Sequence, residues 1–489
     1  MSGISKKIGR KIIFGVVLCV SLAALLTSSM ISELNSLKSK LSEISQRIGE
    51  LQTSLDILKT YILNSSYDEY GGFVLLKGQE TGFFHVEKIN GKLWLVDPEG
   101  HRFISKGVNH VDYLGDYAPS SGYSPYNRIV SSKYGSADAW AEETVKRLQS
   151  WGFNTVGAWS SEETFTKKMP FTIVLNIAAQ AGSDWLSGKV ADYFTEDFEK
   201  VADDVAEKVC ASERDDPYLI GYFTDNELRW TADWRSTSEL LDDYMLFPHD
   251  AEGKRSVVKY LKGKYISISS LNEAWNASFS SFEEILSAYE APKRTAVDSD
   301  RLGFLEVASK RYFQVCYEAI KKHDPNHLVL GCRYAFKPPD EAIKGCRGYV
   351  DVFSVNRYTN PYSEDLRTFL ENLEEIHSFI ELPVMITEFS FKAMDSDLPN
   401  TRGAGVPVKS QAERARFYEE YVRTILAEPF VVGYHWFQDA DQPSEGRFDG
   451  ENSNFGLVDI RDEPWIILVE RAAAVNLQAE YMHASGQKS

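Results

Sequence analysis

Two glutamates stand where buried strands are predicted to end. Glu227 follows the apolar run 218–223, and Glu388 follows the run 384–386. Short runs rich in aromatic and β-branched residues predict buried strands. A retaining glycosidase needs one carboxylic acid to protonate the leaving oxygen and one carboxylate to attack the anomeric carbon, roughly 5 to 5.5 Å apart. The two residue types and their placement therefore predict hydrolysis of a glycosidic bond.

Each glutamate taken alone would more often be a solvated residue or an ion-pair partner. Their joint placement changes this interpretation, because Asn226 directly precedes Glu227 and both glutamates follow predicted strands. Glu227 and Glu388 are therefore predicted as the catalytic residues.

The elements that must position these residues alternate between strands and helices. Strands are predicted at 104–109, 154–159, 173–177, 219–223, 328–333, 352–356, 384–387 and 431–436. Helices are predicted between several of them, at 137–150, 196–212, 301–323, 364–380 and 410–427. This alternation predicts an α/β fold, a (β/α)8 TIM barrel over 103–489. Its fourth and seventh strands would carry the two glutamates at their carboxyl ends, where active sites of this fold lie.

Two further segments are predicted to accompany the barrel strands and helices. Residues 64–102 predict a linker and a β-meander, because Asn90 with Gly91 and a DPEG turn separate alternating runs. The segment from about 229 to 300, between the fourth and fifth predicted strands, is too long for a simple connection between a strand and a helix. It predicts a helical lid or subdomain beside the active site.

Residues 1–32 predict a transmembrane signal anchor. Four basic residues, Lys6, Lys7, Arg10 and Lys11, precede the uncharged run 12–31, about the twenty residues that a bilayer-spanning helix requires. Positive flanks stay on the cytoplasmic side, so a single-pass cell-membrane protein with an extracellular catalytic domain is expected. A cleaved signal peptide and a secreted product are the alternative, because 12–26 also has the length of a signal-peptide apolar region.

Residues 33–63 predict a coiled-coil stalk. Apolar residues recur at alternating steps of three and four, at Leu34, Leu37, Leu41, Ile44, Ile48, Leu51, Leu55, Leu58 and Ile62. Four unbroken heptads favour a homo-oligomer, although Leu at both seam positions does not choose between two and three strands. An amphipathic helix packed on the catalytic domain is the alternative, but such a helix usually has a wider apolar stripe.

The amino-acid composition and net charge restrict the classes of molecule that the protein is expected to bind. The chain has 53 Lys and Arg against 71 Asp and Glu, a net charge of −18, which argues against nucleic acid. An acidic chain rich in Trp and Tyr suits a neutral polysaccharide or oligosaccharide substrate. No cofactor is expected, because the sequence contains no dinucleotide fingerprint and no phosphate-binding loop. No metal is expected, because Asp439 and Asp441 offer too few oxygen ligands in one short loop.

The predicted catalytic body contains four cysteines and no CxxC motif: Cys210, Cys316, Cys332 and Cys346. Free buried thiols are the favoured interpretation. If the domain is exported, disulfides are the alternative, and Cys332 with Cys346 is the first pair to consider because a short loop separates them.

Asn226, Glu227 and Glu388 resemble the active-site pattern of the clan A glycoside hydrolases. Over residues 83–489 the chain resembles more specifically the β-agarases of glycoside hydrolase family 50, in the segments RDDPYLIGYFTDNELRW, TEFSFKAMDS, QAERARFYEEYVRTILAEPFVVGYHWFQDADQP and GRFDGENSNFGLVD. The resemblance implies a retaining double displacement with Glu227 as acid/base and Glu388 as nucleophile.

The same resemblance implies binding roles for three residues. Asn226 would bind the sugar hydroxyl beside the reacting carbon, Tyr358 would hydrogen-bond the nucleophile, and Trp436 would form the platform under the sugar. Residue chemistry agrees, since an amide both donates and accepts and an indole offers a flat apolar face. Six further residues at predicted strand ends could line the cleft: Asn109, His110, Trp159, Arg333, His435 and Gln438. For His435 the alternative is a hydrogen-bonded histidine beneath the site, and for His110 and Arg333 it is a structural hydrogen bond. Trp436, taken alone, would more often be a core residue.

The chain departs from the agarases in two places. The predicted stalk stands where they carry an amino-terminal carbohydrate-binding module, and TEFSFKAMD replaces a glycine-bearing segment after the nucleophile. The interpretation is therefore hydrolysis of a β-linked galactan or a related β-glycan. The alternatives are a clan A β-galactosidase or β-mannosidase acting on short oligosaccharides, and a non-catalytic surface protein that binds glycan.

Overall fold

The computed structural model describes residue 30 and residues 33–42, 44–48 and 66–486. The chain divides into two units, residues 1–65 and residues 66–489. In the first unit the described residues are helical, and the seam residues among them are exposed: Leu34, Leu37, Leu41, Ile44 and Ile48. The helix predicted at the start of the stalk is therefore present, and the coiled coil stays a prediction.

The predicted membrane anchor and the stalk residues beyond 48 lie outside the described part of the chain, apart from Met30. Within residues 30, 33–42, 44–48 and 66–486, no helix combines the length and the apolar character needed to cross a bilayer.

The second unit contains three sheets built from fourteen strands among its described residues. In chain order these are β1 (Phe73–Lys77), β2 (His85–Ile89), β3 (Lys92–Val96), β4 (His101–Phe103), β5 (Ser105–Asn109), β6 (Thr155–Val156), β7 (Phe171–Val174), β8 (Leu219–Asn226), β9 (Leu328–Arg333), β10 (Phe353–Asn356), β11 (Val384–Phe389), β12 (Lys392–Ala393), β13 (Pro407–Val408) and β14 (Val431–Phe437).

Eight parallel strands form the barrel, in the order β10-β11-β14-β5-β6-β7-β8-β9. A bridge between Tyr334 and Val355 joins the two ends of this order. Tyr334 N donates to Ser354 O at 3.0 Å, and Asn356 N donates to Tyr334 O at 2.7 Å. The predicted α/β barrel and all eight of its strands are confirmed, with shifted ends at β6 and β7 because Trp159 and Asn176 adopt positive φ and turn the chain.

Helices follow most of the barrel strands. They span Pro125–Tyr134, Ala137–Ser150, Glu162–Phe165, Ile177–Gln180, Glu196–Glu213, Thr295–His323, Asp340–Cys346, Asp365–Ile380, Gln411–Leu426, Ile466–Asn476 and Ala479–Ser485. Side-chain caps explain several starts: the hydroxyls of Ser136, Thr195 and Ser410 accept backbone N–H groups of the first turn. The five helices predicted from the sequence are all present.

Four antiparallel strands, in the order β1-β4-β3-β2, form the predicted meander. Leu93 N donates to Pro429 O at 2.7 Å, just before β14 begins. The ring of Trp94 packs edge-on against His483, with centroids 4.5 Å apart. The meander therefore covers the amino-terminal end of the barrel, opposite the strand ends that carry the glutamates.

The insertion between β8 and β9 is helical, as predicted. It contains Leu240–Met245, Glu252–Lys264, Ile268–Trp275 and a 3-10 turn at Glu283–Ser287. These elements pack on the long helix Thr295–His323: the Tyr244 and Phe304 rings lie 5.2 Å apart, and Trp275 Nε1 donates to Asp300 Oδ2 at 2.7 Å. The insertion is thus a subdomain anchored on that helix.

The four cysteines in the described part of the chain, Cys210, Cys316, Cys332 and Cys346, are free and buried. The favoured interpretation of free thiols is confirmed, and the alternative Cys332–Cys346 disulfide is not formed. Burial raises the pKa of Cys346 to about 12. A thiol that stays protonated is a poor nucleophile, so these side chains act as small core residues.

Candidate active site

Glu227 directly follows β8. Asn226 is in register with Arg333 of β9, and Glu227 N donates to Arg333 O at 2.8 Å. Glu227 has a φ of 47°, so the backbone turns sharply here as it leaves the sheet. Its carboxylate accepts two hydrogen bonds from neutral donors, from Asn356 Nδ2 to Oε1 at 3.0 Å and from Trp185 Nε1 to Oε2 at 3.0 Å.

The environment of Glu227 favours its protonated form. Burial raises the pKa of this carboxyl above its ordinary value, and the nearby charge of Glu388 raises the pKa further. The donors Asn356 and Trp185 and the charge of Arg333 offset part of this rise. A carboxylic acid that keeps its proton toward neutral pH is what a general acid requires.

Glu388 lies in β11 and is almost fully buried. Arg333 Nη2 lies 2.8 Å from Glu388 Oε1, and Tyr358 Oη donates to Glu388 Oε2 at 2.7 Å. The backbone is held as well, since Arg357 N donates to Glu388 O at 2.7 Å. A guanidinium and a phenol hydroxyl are the partners of an ionised carboxylate, so Glu388 suits the role of nucleophile.

Arg333 connects the two halves of the site. Its Nη1 donates to Asn226 Oδ1 at 3.0 Å, and its Nη2 also donates to Thr387 O at 2.8 Å. Asn356 Nδ2 lies 3.2 Å from the same Asn226 oxygen. These bonds occupy the amide oxygen of Asn226, which leaves its NH2 group as the part that can donate to a substrate hydroxyl.

The two glutamates open into one cavity of about 890 Å3. Of the residues predicted from the sequence, six line it: Glu227, Glu388, Asn226, Tyr358, His110 and Trp159. His110 and Trp159 both have positive φ, 53° and 64°, because the chain turns into the cavity directly after β5 and close after β6. Arg333 is fully buried behind Glu388 and acts on the site through that ion pair.

Three residues predicted to line the cleft are instead buried outside the cavity lining. Asn109 donates to Thr387 O at 2.8 Å and accepts from Ala158 N at 2.9 Å, so it ties strands together. Gln438 Nε2 donates to Asp116 Oδ2 at 2.8 Å. His435 Nε2 lies 2.8 Å from Ser105 Oγ, and burial with the charge of Arg333 lowers its pKa to about 3. His435 is therefore the neutral histidine beneath the site that the alternative interpretation described.

Trp436 requires a correction, because its ring does not reach the cavity. Its Nε1 donates to Phe455 O at 2.9 Å, and the ring packs against Phe389 and Tyr418 at 5.3 and 5.5 Å between centroids. Successive side chains of a strand point to opposite faces, so Trp436 faces the helix layer. Phe437, one residue later, lines the cavity and offers the aromatic face there.

Sequence reasoning missed four other residues of the site. Asn356 ends a correctly predicted strand, and that signal could have identified it. Arg447 and Glu451 lie in the segment GRFDGENSNFGLVD, and the resemblance of that segment could have identified them. Trp185 lies in a loop where no local signal marks it. Arg447 Nη2 lies 2.9 Å from Glu451 Oε2 and 2.8 Å from Asp449 Oδ2, so two of the missed residues form one ion-pair cluster on the cavity wall.

Comparison with known proteins places this geometry among the glycoside hydrolases. Residues 177–395 match the family model described as Beta-galactosidase, and residues 339–459 match the one described as Glycosyl hydrolase catalytic core. Beta-agarase B of Vibrio sp. (strain JT0107) is 30% identical over an alignment that covers 84% of this chain and 50% of that protein. The chain spans about half the length of the curated relatives it matches.

Solved structures agree with the sequence relatives. An agarase, AgWH50C, superposes with a TM-score of 0.76 at 28% identity, over 86% of this chain and 68% of that one. An exo-β-agarase superposes with a TM-score of 0.75 at 25% identity, over 86% and 68% of the two chains. The chain is therefore a homologue of the β-agarases of glycoside hydrolase family 50 and has a clan A type of barrel.

Proposed function

We propose that the barrel is a retaining β-glycosidase that hydrolyses a β-linked galactan or a related β-glycan, with Glu388 as nucleophile and Glu227 as acid/base. The observation that carries this proposal is the difference between the two carboxyl groups in one cavity. Glu227 has neutral donors and a raised pKa, whereas Glu388 is paired with Arg333 and Tyr358. Such a difference separates an acid from a nucleophile.

In the first step, a carboxylate oxygen of Glu388 forms an ester bond to the anomeric carbon. The glycosidic C–O bond breaks, and Glu227 gives its proton to the departing oxygen. In the second step, Glu227 takes a proton from water, the water oxygen bonds to the anomeric carbon, and the ester to Glu388 breaks. Two inversions at one carbon give net retention.

The neighbouring residues have supporting roles in this reaction. Arg333 and Tyr358 hold Glu388 in line for attack and stabilise the carboxylate as it leaves in the second step. Asn226 donates its NH2 to the hydroxyl beside the reacting carbon. Phe437 presents the aromatic wall that the sequence analysis assigned to Trp436. The galactan class is supported by relatives named as β-agarases and by the family model named Beta-galactosidase.

Azide rescue tests the acid/base assignment. Glu227→Ala should lose activity on substrates with poor leaving groups, because no proton reaches the departing oxygen. It should retain activity on activated β-glycosides, and azide should accelerate it by attacking the glycosyl-enzyme, with a β-glycosyl azide as product. Glu143→Ala, at an exposed helical glutamate, is the matched control. An α-linked azide product would contradict the double displacement.

A second candidate function is a β-galactosidase acting on short oligosaccharides, or a β-mannosidase of the same clan. The match of residues 177–395 to the Beta-galactosidase model favours the first of these. Relative rates on agarose, on its oligosaccharides and on aryl β-galactosides and β-mannosides separate the candidates. A preference for the polymer supports the galactan hydrolase, and activity on the small glycosides alone supports the second candidate.

We also propose that residues 1–32 anchor the protein in the cell membrane and that residues 33–63 form a homo-oligomeric coiled-coil stalk, with the catalytic barrel outside the cell. The helical state and exposed apolar side chains of 33–42 and 44–48 support the stalk. Deleting residues 34–62 should convert the oligomer to a monomer in sedimentation, whereas an unchanged mass would contradict the stalk. Amino-terminal sequencing of the mature protein distinguishes an anchored protein from a secreted one.

A further inference from the structure

Large apolar side chains at the mouth of the cavity are exposed to solvent. Trp234 is 57% exposed and Phe336 is 52% exposed, although both line the cavity that contains Glu227. Leu186 and Phe448 are exposed on the same cavity lining. These side chains add little to the stability of the barrel, because about half or more of the surface of each is exposed to solvent. A cluster of exposed apolar side chains around a cavity is typical of a binding surface.

Trp234 and Phe336 form an open aromatic pair. Their ring centroids are 5.8 Å apart and the rings are nearly perpendicular, at 86°. One ring edge therefore meets the other ring, and parts of both faces stay open to solvent. Apolar C–H faces of sugars pack on such rings, as other apolar groups do.

A buried arginine ties Trp234 to the acid/base residue. The guanidinium carbon of Arg235 lies 4.3 Å from the centroid of the Trp234 ring. Arg235 Nη1 donates to Glu227 O at 2.8 Å and to Trp185 O at 3.2 Å. Its side chain is almost fully buried and pairs with Asp233 at 2.6 Å. The ring is therefore held at a set position relative to Glu227, unlike an ordinary exposed tryptophan.

Trp234 is linked to the acid/base residue and not to the nucleophile. Glu227 must point at the glycosidic oxygen, and Trp234 is attached to the backbone of Glu227 through Arg235. The groups around the nucleophile are different: Glu388 is bonded to Tyr358, and the rings of Tyr358 and Phe437 lie 6.4 Å apart. The aromatic pair is thus linked to the residue that would protonate the departing sugar.

Charge at the mouth favours a neutral sugar. The guanidinium of Arg235 is already paired with Asp233, so it offers little attraction to an anion. Asp184 lines the same part of the cavity beside Trp185 and Leu186. A carboxylate there would repel a uronic acid or a sulfated sugar.

We propose that Trp234, with Phe336, binds a neutral sugar unit on the leaving-group side, and so gives the enzyme its preference for glycan chains over simple glycosides. This inference rests on the proposed function. Trp234 is accordingly a specificity-determining residue, which touches the leaving sugar and takes no part in proton transfer.

Two substrates isolate this contribution. A β-galactosyl fluoride places no sugar on the leaving-group side, whereas a neutral oligosaccharide derived from agarose does. Trp234→Ala should lower kcat/KM for the oligosaccharide relative to the fluoride by about tenfold, mainly through KM, the loss expected for one stacked ring. Trp234→Phe keeps a ring and should recover part of the ratio. Tyr481→Ala, an exposed aromatic residue in the last helix, is the control and should leave the ratio as in the wild type.

Binding gives a second readout that does not depend on turnover. In a Glu388→Gln background, adding Trp234→Ala should weaken calorimetric binding of the oligosaccharide by about the same factor. If Trp234→Ala leaves the ratio of the two kcat/KM values unaffected, for example through equal losses on both substrates, the inference is overturned. A wild-type enzyme that cleaves neither substrate would instead count against the proposed galactan function, so the two failures are distinguishable.

Discussion

Both ends of the barrel contain buried charged side chains, but these are arranged differently. At the carboxyl-terminal end, Glu227 and Glu388 open into a cavity of about 890 Å3. At the amino-terminal end, Lys106 Nζ lies 2.5 Å from Glu480 Oε1, and Tyr67 Oη donates to Glu480 Oε2 at 2.9 Å. Side-chain exposure of Lys106 and Glu480 is 2% and 1%, and neither lines the cavity.

The comparison shows that buried charge alone does not indicate catalysis. Each carboxylate oxygen of Glu480 is bonded to a side chain, Lys106 or Tyr67, so the charge of Glu480 stabilises the fold. Glu227 and Glu388 are held by donors, yet both border space that a substrate can fill. The difference between structural and catalytic carboxylates therefore lies in access to a cavity. The same substitution made at both ends tests this contrast.

The largest effect on activity is expected from Glu388→Gln. An amide cannot form the glycosyl ester, so turnover should fall by at least about 10³-fold. Stability should also fall, because the buried guanidinium of Arg333 loses its counterion. The loss should be smaller than at an enclosed ion pair, because the amide oxygen can still accept from Arg333 and the cavity is open to water. Steady-state hydrolysis and thermal unfolding of the same preparation measure both effects. Near-normal turnover would remove Glu388 from the mechanism.

The largest effect on stability is expected from Glu480→Gln. It leaves the ammonium of Lys106 buried without its counterion, which should cost about 3–5 kcal/mol of unfolding free energy. Activity below the unfolding transition should stay near that of the wild type. The double variant Lys106→Met with Glu480→Leu removes both charges and should recover part of the loss. A specific loss of turnover in the folded Glu480→Gln variant would break the contrast between the two ends.

A smaller effect is expected in the pH profile of Trp185→Phe. Trp185 donates to the carboxylate of Glu227 and so lowers the pKa of that group. Removing the donor should raise this pKa, and Glu227 would keep its catalytic proton to higher pH. The alkaline limb of kcat/KM should therefore move upward, by about one pH unit or less.

Trp465→Phe is the matched control for this shift. Its indole also donates to a buried carboxylate, Asp441 Oδ2 at 2.9 Å, but neither residue lines the cavity. The control should leave the alkaline limb in place. A downward shift in Trp185→Phe would contradict the assignment of that limb to Glu227.

Local sequence patterns were sufficient to predict the strands of the barrel. Runs such as 328–333 and 431–436 have the length and composition of buried strands, and the structure contains strands Leu328–Arg333 and Val431–Phe437 there. The ends were less predictable. The strand predicted at 154–159 is reduced to Thr155–Val156, and the chain turns at Trp159 with positive φ. Such turns depend on neighbouring strands rather than on the local sequence.

Part of the site could be predicted and part could not. Glu227, Glu388, Asn226 and Tyr358 follow predicted strands, and the structure brings all four to one cavity. Trp436 also ends a predicted strand, but its ring faces the helices. A shift of one residue reverses the facing of every side chain on a strand, and the sequence pattern cannot specify facing when both faces are buried.

The sequence by itself determined the strand and helix order, the two glutamates and the heptad pattern, because residue type and spacing carry this information. Only the tertiary structure decided which donors reach Glu227, which face of β14 meets the cavity and how Arg235 holds Trp234. Trp185 and Asn356 lie 42 and 129 positions from Glu227. Contacts between such distant residues arise only when the closed barrel brings the strand ends together.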